Sequence, residues 1–258
     1  MQKSQNNWTR EQTIVALSAY CKVPFNRVSS TNEIIVNTAR LIGRSANSVK
    51  MKVGNFGSFD PELRRRGIVG LGNYSKLDKE IWDEYYNNWE KLALDCAKIV
   101  AELSHTSVEQ VCNIDEQNLP VGAEREILIR RRINQSFFRN AVLSSYNYAC
   151  CISGITQTEL LEACHIVDWA ENIENRLNPA NGLCLNPFFH KAYDRNLLAI
   201  TPDDYKVQIS GKLIDSTTQE ITKAYLKQIH NTKIVLPDKF LPNQDLLALH
   251  YEKFRDVV

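Results

Sequence analysis

The chain has 258 residues, 43% of them hydrophobic and 24% charged, with 31 basic side chains against 30 acidic. That composition belongs to a packed globular protein and excludes a largely disordered one. At about 150 residues per domain, the length suggests two units. A net charge of +1 speaks, as an average, against a nucleic-acid binder, so charge is read by segment. No stretch approaches the roughly 18 apolar residues of a membrane span. The opening MQKSQNNWTR lacks the apolar run of a secretory signal. Seven cysteines without paired spacing are expected to be reduced and mostly buried, as in a cytoplasmic protein.

In chain order, Thr9 with Gln12 has the form of a capping box for a helix through residue 20, with Ile14, Leu17 and Tyr20 or Cys21 on its apolar face. A second helix is predicted over 32–42, stopping at Gly43. Ser45 caps a third over 46–54, with Val49 and Val53 buried. Helix, short turn, helix is the pattern of a helix-turn-helix, with the polar faces of the third helix turned to DNA. Between residues 24 and 76 nine basic residues stand against three acidic ones, a local +6. Arg44, Asn47, Lys50, Lys52 and the run Arg64, Arg65, Arg66 are the candidate DNA contacts. A further helix over 78–96 carries Ile81, Trp82, Tyr85, Trp89 and Leu92 at core-facing spacing.

Residues 101–122 read as a linker between a helical domain, 1–100, and a second domain, 123–258. A basic helix over 124–144 places Ile127, Ile133, Phe137, Phe138 and Val142 on its apolar side. Arg130, Arg131 and Arg132 spread over about 200° of its circumference, and Arg130 joins the candidate DNA contacts. A strand over 160–167 puts Leu161, Ala163, His165 and Val167 on one face, Glu162 and Cys164 on the other. A polar loop, the turn dipeptide Asn181-Gly182 and a short strand at Leu183-Cys184-Leu185 follow. Asn186-Pro187 is a well-specified helix start. On that helix His190 and Asp194 are four residues apart, on one face, where an imidazole and a carboxylate can ligate one divalent cation. His105, His230 and His250 lack such context and read as ordinary surface or core residues. Residues 205–210 alternate like a strand and 244–254 show a helical apolar face.

Strand, loop, strand and helix carrying His165 in EACHIVDW, Asn181 in NPANGL and His190 in NPFFHKAYD resemble the HNH endonuclease family. The similarity covers about residues 130–200. WTREQTIVALSAYCKVPF and VKMKVGNFGSFDP resemble a module that often precedes HNH domains in restriction enzymes. The resemblance implies an α+β protein: an N-terminal helix-turn-helix-like domain, then a ββα-metal nuclease domain. It implies that His165 is the general base, that Asn181 orients its imidazole, and that His190 holds a metal, usually Mg²⁺. The products would carry a 5′-phosphate and a 3′-hydroxyl. The family commonly places Asp, Glu or His just before the base histidine as a metal ligand, where this chain has Cys164. A thiol is a poor Mg²⁺ ligand. Asp194 is then the candidate anionic ligand, with Glu162 and Asp168 behind it, or the site takes a softer ion such as Mn²⁺ or Zn²⁺.

The expected function is a metal-dependent DNA endonuclease of restriction or defence type, acting on double-stranded DNA as a homodimer, with no membrane association. The alternatives are a non-catalytic DNA-binding protein with a degenerate HNH unit, and an effector nuclease governed by a partner or ligand.

Overall fold

The computed structural model describes residues 7–114 and 122–256. The chain forms two compact units, Met1–Ala141 and Val142–Val258, and the division falls inside a long helix. Among the described residues, no helix is long and apolar enough to cross a membrane.

The first unit is helical and is organised around α1 (Arg10–Lys22), which packs against four other helices. Thr9 and Gln12 close the expected capping box. The apolar face read from the sequence is too narrow, however, because every residue from Thr13 to Cys21 is buried. α2 (Glu33–Leu41) is capped by Asn32, and the chain turns at Gly43 with φ +67°. There the Arg44 amide donates to the Ala39 carbonyl at 2.9 Å, satisfying an orphan group of the last turn.

α3 (Ala46–Gly57) is capped by Ser45 and runs three residues beyond the expected end at 54. A Cβ on Gly54 would meet Leu71 Cδ1 at 2.8 Å, so this glycine admits a neighbouring side chain rather than ending the helix. α4 (Pro61–Arg65) begins at Asp60, whose second carboxylate oxygen accepts from the Tyr20 hydroxyl at 2.6 Å.

The helix expected over 78–96 is two helices, α5 (Lys76–Tyr85) and α6 (Trp89–Ser104). Asn87 breaks them with φ +65°, a left-handed conformation that asparagine tolerates. Trp82, Tyr85 and Trp89 are buried, as their spacing predicted. Trp82 lies between Tyr20 in edge contact and Tyr86 in stacked contact. α6 extends into the span read as a linker, which also holds α7 (Val108–Val111). Residues 115–121 of that span lie outside the described ones. In α8 (Ala123–Ser145), Ile133, Phe137, Phe138 and Val142 are buried, whereas Ile127 is 66% exposed and leaves the apolar side.

Lys52 corrects the sequence reading. Expected at a DNA surface, it is only 5% exposed and forms an ion pair with the fully buried Asp78. Its ammonium also lies over the Trp8 ring, 4.5 Å from the centroid. Asp78 closes the capping box of α5 and accepts from Asn55 Nδ2 at 3.2 Å. Lys52 is therefore the counter-charge that lets a carboxylate be buried.

The second unit carries two small antiparallel hairpins with helices against them, an α+β arrangement. β1 (Glu162–His165) pairs with β2 (Gly182–Leu185), setting Cys164 opposite Leu183 and His165 opposite Gly182. The strand is shorter than the expected 160–167, because residues 158–160 form a 3-10 turn and Ile166 leaves the ladder. Asn181-Gly182 is not a tight hairpin turn either: residues 179–181 form a second 3-10 turn that ends the connecting loop. α9 (Pro187–Asp194) packs on both strands. β3 (Leu198–Ile200) pairs with β4 (Val207–Ile209). α10 (Gly211–Ser216), α11 (Glu220–Ile229) and α12 (Gln244–Arg255) complete the unit, with α12 against β3.

Replacing Lys52 with alanine leaves the Asp78 carboxylate buried and uncompensated. Urea unfolding of Lys52→Ala is expected to show a loss of about 3–5 kcal/mol. An unchanged midpoint would mean that the pair contributes nothing to this core.

Candidate active site

β1 and α9 together build the site. The α9 N-terminus is fixed by Asn186, whose Oδ1 accepts from the Phe189 amide at 3.0 Å while its Nδ2 donates to Ser153 Oγ at 3.2 Å. Proline at the first helical position costs no hydrogen bond there. With the helix start set, His190 and Asp194 stand one turn apart, Nε2 to Oδ1 3.6 Å. From β1, Glu162 Oε2 reaches His190 Nδ1 at 2.5 Å. Cys164 lies behind, and its sulfur, one imidazole nitrogen and one Asp194 oxygen all fall within 4.8 Å of one another. Burial beside the Asp194 and Glu162 carboxylates holds the Cys164 thiol well above its ordinary pKa.

His165 points the other way along β1, as alternation requires. Its Nε2 lies 3.0 Å from the Arg176 carbonyl. A carbonyl accepts, so Nε2 carries the proton in the neutral ring and the lone pair is on Nδ1. Trp169 meets the imidazole edge-on, with centroids 5.8 Å apart. Arg176 Nε in turn donates to the Trp169 carbonyl at 2.6 Å, closing the loop around the histidine. Burial lowers the His165 pKa below 6.5, against the opposing pull of the Arg176 carbonyl and Asp168.

His165, His190 and Asp194 share one cleft of about 770 Å³, with Asp168 and Trp169 in its wall and the exposed cations Lys191 and Arg195 on it. Three of the four residues expected at the site are thus together. The fourth has a different place. Asn181 is fully buried, accepting from the Val167 amide at 2.9 Å and donating to the carbonyls of Val167 and Asn175 at 3.1 and 3.2 Å. It clips the two ends of the 166–181 loop together, the loop whose Arg176 carbonyl meets His165 Nε2.

Further participants are Glu162 and three residues that residue type did not single out, Lys191, Arg195 and His250. Glu162, held in reserve as a ligand, is the partner of His190. Lys191 and Arg195 flank the ligand positions, a charge pattern visible in HKAYDR once the helix is known. His250 of α12 forms part of the cleft wall, 7% exposed, its Nε2 donating to the Tyr193 carbonyl at 3.0 Å. Its ring stacks on Tyr193 with centroids 3.6 Å apart. Burial chiefly, with Lys253 adding to it and Glu171 opposing, lowers the His250 pKa to about 4.

The family follows from the match of this segment. Residues 150–201 fit the family model described as HNH endonuclease. This part of the chain is an HNH endonuclease domain. The HNH domain is of the nuclease type, whose action is DNA cleavage. Comparison of the chain with curated proteins gives no match.

The expected DNA contacts lie in the first unit, away from this domain in sequence. Asn47 is exposed on α3 and Lys50 half-buried. Arg44 is occupied within its own unit: it donates to Gln12 Oε1 at 2.9 Å and to the Asn7 carbonyl at 2.5 Å, and lies over Trp8. Arg64, Arg65 and Arg66 are exposed, with Arg64 Nε on the Ser58 carbonyl and Arg65 paired to Glu62. Arg130 is exposed and paired to Glu90 at 2.8 Å.

Two expectations concern stability. Asn181→Ala strips the buried Val167 amide and carbonyl of their partners, and urea unfolding should register a loss of about 1–3 kcal/mol for such unsatisfied groups. A stability equal to wild type would return Asn181 to a purely chemical role. A histidine of lowered folded pKa binds its proton first in the unfolded chain, so stability falls as pH drops from about 6.5 towards about 4. His250 alone should cost about 2 kcal/mol between about pH 7 and pH 5, and His250→Phe should flatten that slope. Equal slopes in the two proteins would count against this assignment.

Proposed function

We propose that the chain is a metal-dependent DNA endonuclease of restriction or defence type, with His165 as the general base. The observation that carries this reading is the cleft that holds His165, with its proton fixed on Nε2, together with His190 and Asp194. His165 Nδ1 takes a proton from water as the water oxygen bonds to phosphorus, and the bond to the 3′-oxygen breaks, that oxygen leaving with the bonding pair and taking a proton from solvent. A chain bearing a 5′-phosphate and one bearing a 3′-hydroxyl result. His190 and Asp194 suit a divalent cation, being one imidazole and one carboxylate 3.6 Å apart. When bound, such a cation supplies neutralisation of charge developing on the phosphate and leaving oxygen. Asn181 keeps the loop around His165 closed, and Lys191 and Arg195 attract the phosphate backbone.

The helical residues 1–100 serve as the DNA-reading part, with α2 and α3 as a helix-turn-helix-like pair and Asn47 and Lys50 on the reading helix. Arg64, Arg65, Arg66 and Arg130 add phosphate contacts on double-stranded DNA. One HNH domain cuts one strand, so a double-strand break calls for a homodimer, in the cytoplasm where the substrate DNA lies.

Purified full-length protein incubated with supercoiled plasmid and Mg²⁺, Mn²⁺ or Zn²⁺ tests the reading. Wild type should nick or linearise the plasmid, and His165→Ala should be slower by at least about 100-fold, the usual worth of a general base. DNA binding without cleavage in every metal, or undiminished cleavage by His165→Ala, would overturn it.

A further inference from the structure

The pair formed by His190 and Asp194 has a third neighbour, Cys164, a sulfur donor where a magnesium site calls for oxygen. Cys164 Sγ, an imidazole nitrogen of His190 and a carboxylate oxygen of Asp194 lie within 4.8 Å of one another. Ligand atoms at about 2.0–2.3 Å from one tetrahedral zinc ion stand about 3.3–3.8 Å apart. His190 Nε2 and Asp194 Oδ1, 3.6 Å apart, already have that spacing, and the sulfur has to approach them by up to about 1.5 Å to enclose one ion. Among the described residues this is the one trio of His, Cys, Asp or Glu side chains brought together in this way. The other buried cysteines of the unit, Cys150, Cys151 and Cys184, belong to no such trio.

A second, independent feature points the same way. Glu162 Oε2 accepts from His190 Nδ1 at 2.5 Å, which fixes the tautomer with the Nε2 lone pair on the side of Asp194. A carboxylate behind a ligating imidazole is the usual support of a zinc-bound histidine. Three protein ligands, one of them sulfur, with two partly exposed, match the open donor set of catalytic zinc sites more closely than the oxygen-rich shell of Mg²⁺.

We propose that Cys164 is itself a metal ligand, and that the Cys164–His190–Asp194 set selects a zinc-class ion over Mg²⁺. On binding, the sulfur–metal bond forms as the thiol proton leaves to solvent, with no change of oxidation state. The inference rests on this cleft being the metal site of the nuclease, but its test does not depend on cleavage.

Full-length protein is titrated anaerobically with Co²⁺, a spectroscopic stand-in for Zn²⁺. A near-ultraviolet sulfur-to-cobalt absorption should grow to one equivalent, vanish in Cys164→Ser, and persist in Cys184→Ser. X-ray absorption of the Zn²⁺-loaded wild-type protein, which needs no variant to fold, should show one sulfur at about 2.3 Å. Cys164→Asp should bind Mg²⁺ more tightly than wild type and Zn²⁺ less tightly. A cobalt complex without the sulfur band, a band that survives Cys164→Ser, or a zinc shell without sulfur would each overturn the proposal. Plasmid cleavage in Mg²⁺ alongside any of these leaves the nuclease standing without the thiolate. The sulfur band without cleavage leaves the thiolate site standing without the nuclease.

Discussion

The register of β1 on β2 is the constraint on which the rest of the site depends. Side chains alternate along a strand, so β1 can offer Glu162 and Cys164 to α9 and His165 to the opposite side only in one alignment. A slip of one residue would exchange the two sets and leave neither function assembled. Several contacts hold the alignment. Leu183, Cys184 and Leu185 are fully buried, and the Cys184 carbonyl is engaged by the Cys151 amide at 2.8 Å. Where the ladder ends, the Ile166 amide bonds the Asn181 carbonyl at 2.9 Å, and the Asn181 side chain takes up the next residue. The hairpin is thus locked by packing in the middle and by hydrogen bonds at its open end.

Features decided within a few residues were legible in the sequence. The capping box at Thr9, the stop at Gly43, the cap at Ser45 and the Asn186-Pro187 start all depend on neighbours in the chain. The i, i+4 pair His190 and Asp194 follows from helical geometry once α9 has its start. What escaped reading depends on distant partners. Lys52 looks like any surface lysine until Asp78 arrives beneath it, and Gly54 looks like a stop until Leu71 fills the space above it. The break at Asn87 needs a positive φ that asparagine permits without requiring. Asn181 was found by its motif, but its partners Val167 and Asn175 are set by the path of the loop.

Charge shows the same division between local pattern and fold. The basic excess between residues 24 and 76 was read as surface. Lys52 is consumed in neutralising a buried carboxylate, and Arg44 in holding Asn7 and Gln12. The exposed remainder includes the three arginines from 64 to 66. In the second unit the acidic side chains divide likewise, with Glu162 turned to an imidazole and Glu171 paired to Lys253.

The contact between His165 and the Arg176 carbonyl has a further consequence. A side chain that orients a histidine can be removed by one codon change; a peptide carbonyl cannot. The tautomer of His165 is therefore insensitive to which residue occupies position 176 and sensitive only to the path of the backbone there. Substitutions that preserve the loop leave the histidine's proton where it is. A glycine or proline that redirects the loop would displace that proton without touching any residue the motif names.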